Sequence, residues 1–557
     1  MTLSAADTTD VASSARARRL EALAVTLPPR QGLLPQSVAR IVLAVSQDGR
    51  RPRAWAGALL LALTAGCASL PPMEGRQETF ALPVSRDAPL ARAVVPAIEQ
   101  HPGKSGVVPI DDGRVSLGVR LALIHEAARS VDIQTFIWHQ DSAGTLLYQA
   151  VLGAAKRGVR VRLLLDDLNA EGLDPLFALL ASNPNLELRL YNPFVGRGSR
   201  AVGYLSDFTR LNHRMHNKSF TVDNVVTVVG GRNLADEYFE TGRDLGLVDL
   251  DVIAIGQAVA DVEKEFDQFW NSASAYPSRM IIAGTSPMTS EELAKRVKAI
   301  ADNPLTARYA QAAAETDIVQ RLRAGTLMPE WTKTTLVHDD PAKTVSPSDA
   351  TEYQLLPKLE AAFGRPDKSL HLVSPYFVPG EAGTEVLARM AERGVQVCVL
   401  TNSLAANDVK SVHIGYAKRR PRLLRGGVQI YELKPEASPI VRRAGEVGSG
   451  AKAGLHAKTY AVDGRAIFVG SFNLDPRSSK LNTEMGLIIE SPTLASRLAA
   501  AVDGAYPNAA YRVTLDRDGN MKWQDGTGTV YDVDPETSWA TRAFIGIGSL
   551  FPVDWLL

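Results

Sequence analysis

Apolar and polar positions follow the same order in two stretches of the chain. In the first, LALIHEAARSVDIQTFIW (121–138) leads into LYQAVLGAAKRGVRVRLLLDD (147–167); in the second, PKLEAAFGRPDKSLHLVSPYFV (357–378) leads into VLARMAERGVQVCVLTNS (386–403). Helical spacing, a short apolar run and helical spacing again predict helix, strand and helix in each. Gly158 and Gly394 end the second helices, and a further apolar strand follows. Each stretch then arrives at an alternating segment, HNKSFTVDNVVTVVGGRN (216–233) or HAKTYAVDGRAIFVGSFN (456–473). Both segments predict a hairpin, turning at Asp223-Asn224 or Asp463-Gly464, pairs that tolerate tight turns.

An internal duplication of a βαβ-type unit is therefore expected. It implies an α/β fold of two duplicated domains with mixed β-sheets flanked by helices, packed about a pseudo-twofold axis. The boundaries expected are a first domain over 111–275, a helical connector over 276–345 and a second domain over 346–505. Residues 67–110 read as a linker, and 506–557 as a hairpin turning at Asp518-Gly519 followed by an apolar tail. Within the connector, Thr289 and Glu292 have capping-box spacing at the start of a helix.

The 557 residues are 45% hydrophobic and 22% charged, a globular composition large enough for two or three domains. Lys+Arg and Asp+Glu each number 61, so no global basic field points to a nucleic-acid partner. The two cysteines, Cys67 and Cys398, are too few and too far apart for a disulfide framework or a cysteine zinc site. Cys398 sits in the apolar run VQVCVLTN and reads as a buried strand thiol.

The chemistry is concentrated in the repeated hairpins. Side chains two apart on a strand share a face, so His216 projects with Lys218 and His456 with Lys458. Glycines after the second strand allow close backbone approach, and Asn233 and Asn473 offer amide donors to an anion. Assembled across the twofold axis, the two copies would surround one pocket that suits a phosphodiester. One histidine can attack phosphorus, the other can protonate the leaving oxygen, and the cations stabilise developing charge. Asp249 and Glu484 occupy matching places downstream, where each could accept a hydrogen bond from a histidine Nδ1; Asp251 competes with Asp249 for that role.

These features resemble the phospholipase D superfamily, whose signature is HxKxxxxD followed by a Gly-Gly/Ser-x-Asn segment. The resemblance covers most of residues 110–505 and implies catalysis through a covalent phosphohistidine in one active site at the domain interface, without metal or cofactor. It assigns catalysis to His216, Lys218, Asp223, His456, Lys458 and Asp463, although a turn-forming role explains the two aspartates equally well. The phrases RLNHRMHNKSF, GGRNLADEYF, SPYFVPG, LTNSLAANDV and GVQIYELKP are similar to bacterial cardiolipin synthases, especially the C type. That similarity implies phosphatidyl transfer to phosphatidylglycerol or a related head group, with phosphatidylethanolamine a further candidate substrate. Hydrolysis is the same chemistry with water as acceptor. A non-catalytic membrane-anchored scaffold would show a damaged motif, and neither copy is damaged.

Other features bear on location and on secondary sites. Arg50, Arg51 and Arg53, an apolar run from Ala54 to Leu63 and Thr64-Ala65-Gly66-Cys67 resemble a bacterial lipoprotein signal with Cys67 lipidated. The implied location is the cell envelope, anchored at the membrane and facing the periplasm. Residues 1–66 then comprise this signal preceded by an extension called too early, with a true start near Val45. His213 near His216 invites a metal reading but lacks a supporting ligand cluster. Ser374 and Tyr376 are candidates for lining the pocket. The basic run KRRPRLLRGG, with Lys418, Arg419, Arg420, Arg422 and Arg425, is a candidate contact for anionic head groups. No accessory protein is identifiable.

Overall fold

A computed structural model describes residues 70–557 apart from 240–244, 408, 436–451, 506–508 and 551–557. Cys67 and the rest of the N-terminal signal lie outside the described residues.

Two large mixed sheets carry the fold. In the first, nine strands run in the order Glu330–Thr332, Ser105–Ile110, Asp251–Gly256, Val226–Gly230, Ser219–Val222, Ser130–Thr135, Arg160–Asp166, Leu186–Tyr191, Ala275–Pro277. From Ser105–Ile110 onward the second repeats this order with equivalent strands: Thr334–His338, Met485–Ile489, Ala466–Gly470, Lys458–Val462, Ser369–Val373, Gln396–Asn402, Gln429–Leu433, Ala510–Leu515. Met521–Gln524 and Val530–Tyr531 then extend its edge. In each sheet three neighbouring strands are parallel, which requires the crossover helices that the apolar periodicity predicts. Ser142–Lys156 and Gly380–Glu392 are two of these helices, and Gly158 (φ 94°) and Gly394 (φ 92°) leave them through the left-handed region.

The sheets meet across an apolar layer. Val107, Val229, Val252 and Ala254 of the first pack with Ile467, Val469, Leu487 and Ile489 of the second, all of them buried. A fully buried valine or leucine contributes about 1.5–3 kcal/mol, whereas an exposed ion pair contributes about 1 kcal/mol or less, so this layer sets how the halves are held.

Two expectations about boundaries need correction. Residues 67–110 are more than a linker: Pro89–Glu99 is helical and Ser105–Ile110 is an inner strand of the first sheet. The hydrophobic alternation of that strand is hidden because it is covered on both faces. The connector is helical over Ser290–Asp302, Pro304–Ala314 and Asp317–Ala324, with the Thr289–Glu292 capping box formed. It then supplies Glu330–Thr332 to the first sheet and Thr334–His338 to the second. Among the described residues no helix is long and apolar enough to cross a membrane.

Candidate active site

Each hairpin is built by its turn. Asp223 (φ 51°) and Asn224 (φ 58°), and Asp463 (φ 54°) and Gly464 (φ 61°), both take the doubly left-handed turn that matches strand twist. The turn aspartates also tie the hairpins to the sheet: Asp223 accepts from the backbone N–H groups of Ala128, Arg129 and Ser130. Asp463 accepts from those of Asp367, Lys368 and Ser369. They therefore sit at the opposite ends of the strands from the histidines. The structure does not bring them to the pocket, and their partners are the amides that start the neighbouring parallel strands.

The opposite ends of the hairpins come together between the halves. His216 N–H donates to Thr483 O and Thr483 N–H to Arg214 O, while Leu245–Val248 pairs in parallel with Lys452–Leu455. Each histidine is thus delivered beside the acid-bearing segment of the other half. His216 Nδ1 lies 2.8 Å from Glu484 Oε2, and His456 Nδ1 lies 2.6 Å from Asp249 Oδ2. With Nδ1 engaged as donor, Nε2 of each ring is left with a lone pair. The rings are further fixed edge-to-face, His216 against Phe136 and His456 against Tyr238, both with centroids 5.0 Å apart.

Asp251, the competitor of Asp249, is committed elsewhere. It accepts from Ser116 Oγ at 2.7 Å and pairs with Arg120 at 3.0 Å and Arg232 at 3.4 Å.

Both lysines fold back beside their histidines: Lys218 Nζ donates to His216 O at 2.7 Å, and Lys458 Nζ donates to His456 O. Asn233 Oδ1 accepts from Ile137 N–H at 3.3 Å, while its buried Nδ2 has no hydrogen-bond partner. Asn473 is buried too, with Oδ1 unpartnered. Two lysines folded back on their histidines and an unpartnered, buried amide Nδ2 at Asn233 make a site that suits an anionic ligand.

Electrostatics separate the two histidine–acid pairs. Burial pushes the Asp249 carboxyl up, but its hydrogen bond to His456 and the charges of His456, Lys458 and Arg232 outweigh this and hold it at about 2. Burial raises Glu484 to about 7 against the opposing effects of Lys218, Ser471, Ser478 and Lys343. Burial and the two lysines hold His216 well below the ordinary imidazole range. Burial and Lys458 bring His456 down to about 4 against the pull of Asp249. Burial likewise lowers Lys218 to about 7, with Lys458 adding to the effect and Glu484 opposing it. Both imidazoles are thus neutral at pH 7, and the negative charge of a phosphodiester would favour protonating one of them.

Several supporting residues escape a sequence reading. Ser471 Oγ donates to Glu484 Oε2 at 2.5 Å and Ser478 Oγ to Oε1 at 2.7 Å, while Glu484 N–H donates to Asp339 Oδ2 at 2.7 Å. Arg214 pairs with Asp166 at 2.7 Å just ahead of His216, and Asn217 Nδ2 donates to the buried Glu265 at 2.6 Å. Asp166 ends a central parallel strand, a position that signals a functional neighbourhood; nothing local signals Ser478 or Glu265.

The secondary candidates resolve into architecture. His213 Nδ1 bonds Thr209 O at 2.8 Å, and Ser374 Oγ donates to Tyr376 O at 3.0 Å. In the basic run, Arg420 is buried against Glu432 at 3.0 Å and Asp534 at 2.8 Å, and Arg422 holds Glu385 and Glu392. Arg420 therefore holds the helix Lys410–Arg425 to the sheet and cannot face head groups, a correction to the basic run at that position, while Arg422 is engaged by the two glutamates at the surface.

Duplicated α/β halves that meet on two His-x-Lys hairpins define the phospholipase D class of enzymes. Within that class, the family described as "Cardiolipin synthase, PLD-like domain" matches residues 121–270 and 359–504, and the chain belongs to this family. Cardiolipin synthase C of Escherichia coli (strain K12) is 45% identical over 477 residues, covering 84% of this chain and 99% of that protein. Cardiolipin synthase A of Pseudomonas putida (strain GB-1) is 24% identical over 399 residues, covering 72% of this chain and 68% of that protein. Among solved structures, the phosphatidylserine synthase of Haemophilus influenzae Rd KW20 shares the fold, with a TM-score of 0.53 at 14% identity; the match covers 84% of this chain and 98% of that one.

Proposed function

We propose that the protein synthesises cardiolipin by transferring a phosphatidyl group between phospholipids. The observation that carries this reading is the crossed pair of histidine–carboxylate contacts, which leaves two Nε2 atoms and two lysines for one phosphodiester. His216 Nε2 attacks phosphorus and forms a phosphohistidine, while the bond to the head-group oxygen breaks and His456 gives that oxygen a proton. His456 then takes the proton from the hydroxyl of a second phospholipid, whose oxygen displaces His216. With the phosphodiester bound, His456 is the more readily protonated of the two and so carries the proton to be given, because the ionised Asp249 beside it stabilises the imidazolium. Lys218, Lys458, Asn233 and Asn473 bind the phosphate oxygens, and Glu484 and Asp249 hold the tautomers.

Phosphatidylglycerol is the expected acceptor, with phosphatidylethanolamine a candidate donor. Such substrates reside in a bilayer, and an enzyme using them works at its surface. The C-terminal helix Trp539–Gly548 exposes Trp539 (77%), Phe544 and Ile547, which suits a membrane interface. Anchoring through a lipidated Cys67 in the cell envelope completes the reading; Cys67→Ser should release the protein from membranes, and unchanged fractionation sinks the anchor.

The activity is tested by incubating purified protein with phosphatidylglycerol vesicles, with and without phosphatidylethanolamine, and identifying products by mass spectrometry. Cardiolipin formed by the intact protein and not by His216→Ala is the expected result. Phosphatidic acid alone would make the protein a hydrolase.

A further inference from the structure

In the first half, a buried cation ties the sheet to the helix behind it. Arg162 donates to Asp132 through Nε at 2.7 Å and Nη2 at 2.9 Å, and to Asp267 through Nη1 at 2.7 Å. Asp132 and Arg162 are register partners on neighbouring parallel strands, and Asp267 belongs to the helix Gln257–Trp270. In the second half, His371 and Cys398 are register partners on the equivalent strands, and Asp503 ends the equivalent helix Pro492–Asp503. The antiparallel neighbours agree with this matching. Asp132 faces Thr221 on the strand that leads to the turn at Asp223, and His371 faces Ala461 on the strand that leads to Asp463.

The place of the guanidinium is therefore taken by a thiol, and the acid opposite it by an imidazole. A ring nitrogen of His371, the Sγ of Cys398 and a carboxylate oxygen of Asp503 all lie within 4.8 Å of one another. His371 is only 4% exposed, and its Nε2 has no hydrogen-bond partner, although Asp503 Oδ1 is 3.5 Å away. An imidazole nitrogen buried without a partner is costly to leave unmet. The Asp503 side chain is 47% exposed, which opens the cluster to solvent on one side.

We propose that His371, Cys398 and Asp503 bind a divalent transition-metal ion of the zinc class, as a structural cation standing where Arg162 stands in the first half. One imidazole nitrogen, one thiolate and one carboxylate oxygen form a donor set that such borderline ions accept tetrahedrally, with water from the open side as fourth ligand. Binding forms the metal–sulfur bond and releases the thiol proton to solvent. Among the described residues, none of the three ligands hydrogen-bonds to either histidine–carboxylate pair.

Cobalt(II) titration of the chelator-treated full-length protein, in a Cys67→Ser background that leaves Cys398 as the sole thiol, tests the proposal. The expected result is uptake of one cobalt ion with a thiolate-to-cobalt charge-transfer band, reversed by zinc, and a zinc-dependent rise in the unfolding midpoint. Cys398→Ser should abolish the band. Asp503→Asn, at the half-exposed edge and tolerable to the fold, should keep the band and weaken cobalt binding about tenfold or more. Failure of the folded protein to take up cobalt, or cobalt binding left unchanged by both Cys398→Ser and Asp503→Asn, overturns the proposal and leaves a hydrogen-bonded thiol–carboxylate cluster.

Discussion

The Nδ1 of His216 and the Oε2 of Glu484 stand 2.8 Å apart, although the residues belong to opposite halves of the duplication. Glu484 is in turn held by Ser471, Ser478 and the carboxylate of Asp339 through its backbone N–H. Glu484→Gln keeps the shape and removes the charge that selects the Nδ1–H tautomer. The expected outcome is a fall in kcat of roughly a thousandfold or more with KM little changed, because the lost interaction strengthens as His216 becomes cationic. Steady-state kinetics on vesicles decide it; a KM effect at unchanged kcat would place Glu484 in ground-state binding instead.

The turn aspartates lead to the opposite expectation. Asp223 accepts three backbone N–H groups at the start of the chain segment that becomes Ser130–Thr135. Asp223→Asn tolerates the left-handed turn but loses the charge-assisted bonds, so stability should fall by about 1–3 kcal/mol. Activity per folded molecule should stay within a few-fold. Urea unfolding beside active-site titration separates the two, and a hundredfold loss of kcat at unchanged midpoint would return Asp223 to the chemistry.

Much of this was legible before the structure, for identifiable reasons. The duplication shows because hairpin turns demand special residues, so Asp223-Asn224 and Asp463-Gly464 punctuate both copies at the same place. The matching of Asp249 with Glu484 is also visible in sequence. Which histidine each acid meets is not, because the pairing crosses the halves through backbone bonds such as those between Thr483 and the Arg214–His216 segment. The strand Ser105–Ile110 is hidden because cover on both faces masks its alternation, and its partners, Asp251–Gly256 and Glu330–Thr332, are remote in sequence. Glu265 and Ser478 carry no local pattern, since their roles exist only through the side chains they touch.

Glu265 makes a prediction about pH. It is buried behind the His216–Lys218 strand, accepts from Asn217 Nδ2 at 2.6 Å, and burial pushes its carboxyl up to about 8. The unfolded value is near 4.3, so the folded protein holds an extra proton between about pH 4.3 and 8. The stability of the neutral acid is therefore fully present below the unfolded value and lost as pH rises through 8. Glu265→Gln keeps an acceptor for Asn217 and cannot ionise. Its stability relative to the parent should increase across this window by about 1.4 kcal/mol per pH unit. Denaturant unfolding at several pH values measures the difference, and a difference independent of pH refutes the neutral acid.

The two copies differ where a backbone approaches an acid, and that difference gives the sharpest test of the crossed arrangement. At Ser471 a hydroxyl donates to Glu484, but the equivalent Gly231 leaves its side-chain space to Asp249: an added Cβ would lie 2.2 Å from Asp249 Oδ1 and 2.7 Å from Oδ2. Asp249 has little freedom to retreat, because Oδ1 also accepts from Leu250 N–H at 2.8 Å and the residue is buried. Gly231→Ala should therefore displace the carboxylate from His456 Nδ1, and a displacement of about 1 Å is enough to cost on the order of a hundredfold in rate. Ser471→Ala removes one hydrogen bond from an acid that retains Ser478, so its effect should be about tenfold. Measured side by side, a larger loss at Gly231 than at Ser471 is the expected order. If Gly231→Ala is silent while the protein remains folded, Asp249 does not need its present position, and the orientation of His456 must come from its other contacts, among them the edge of Tyr238.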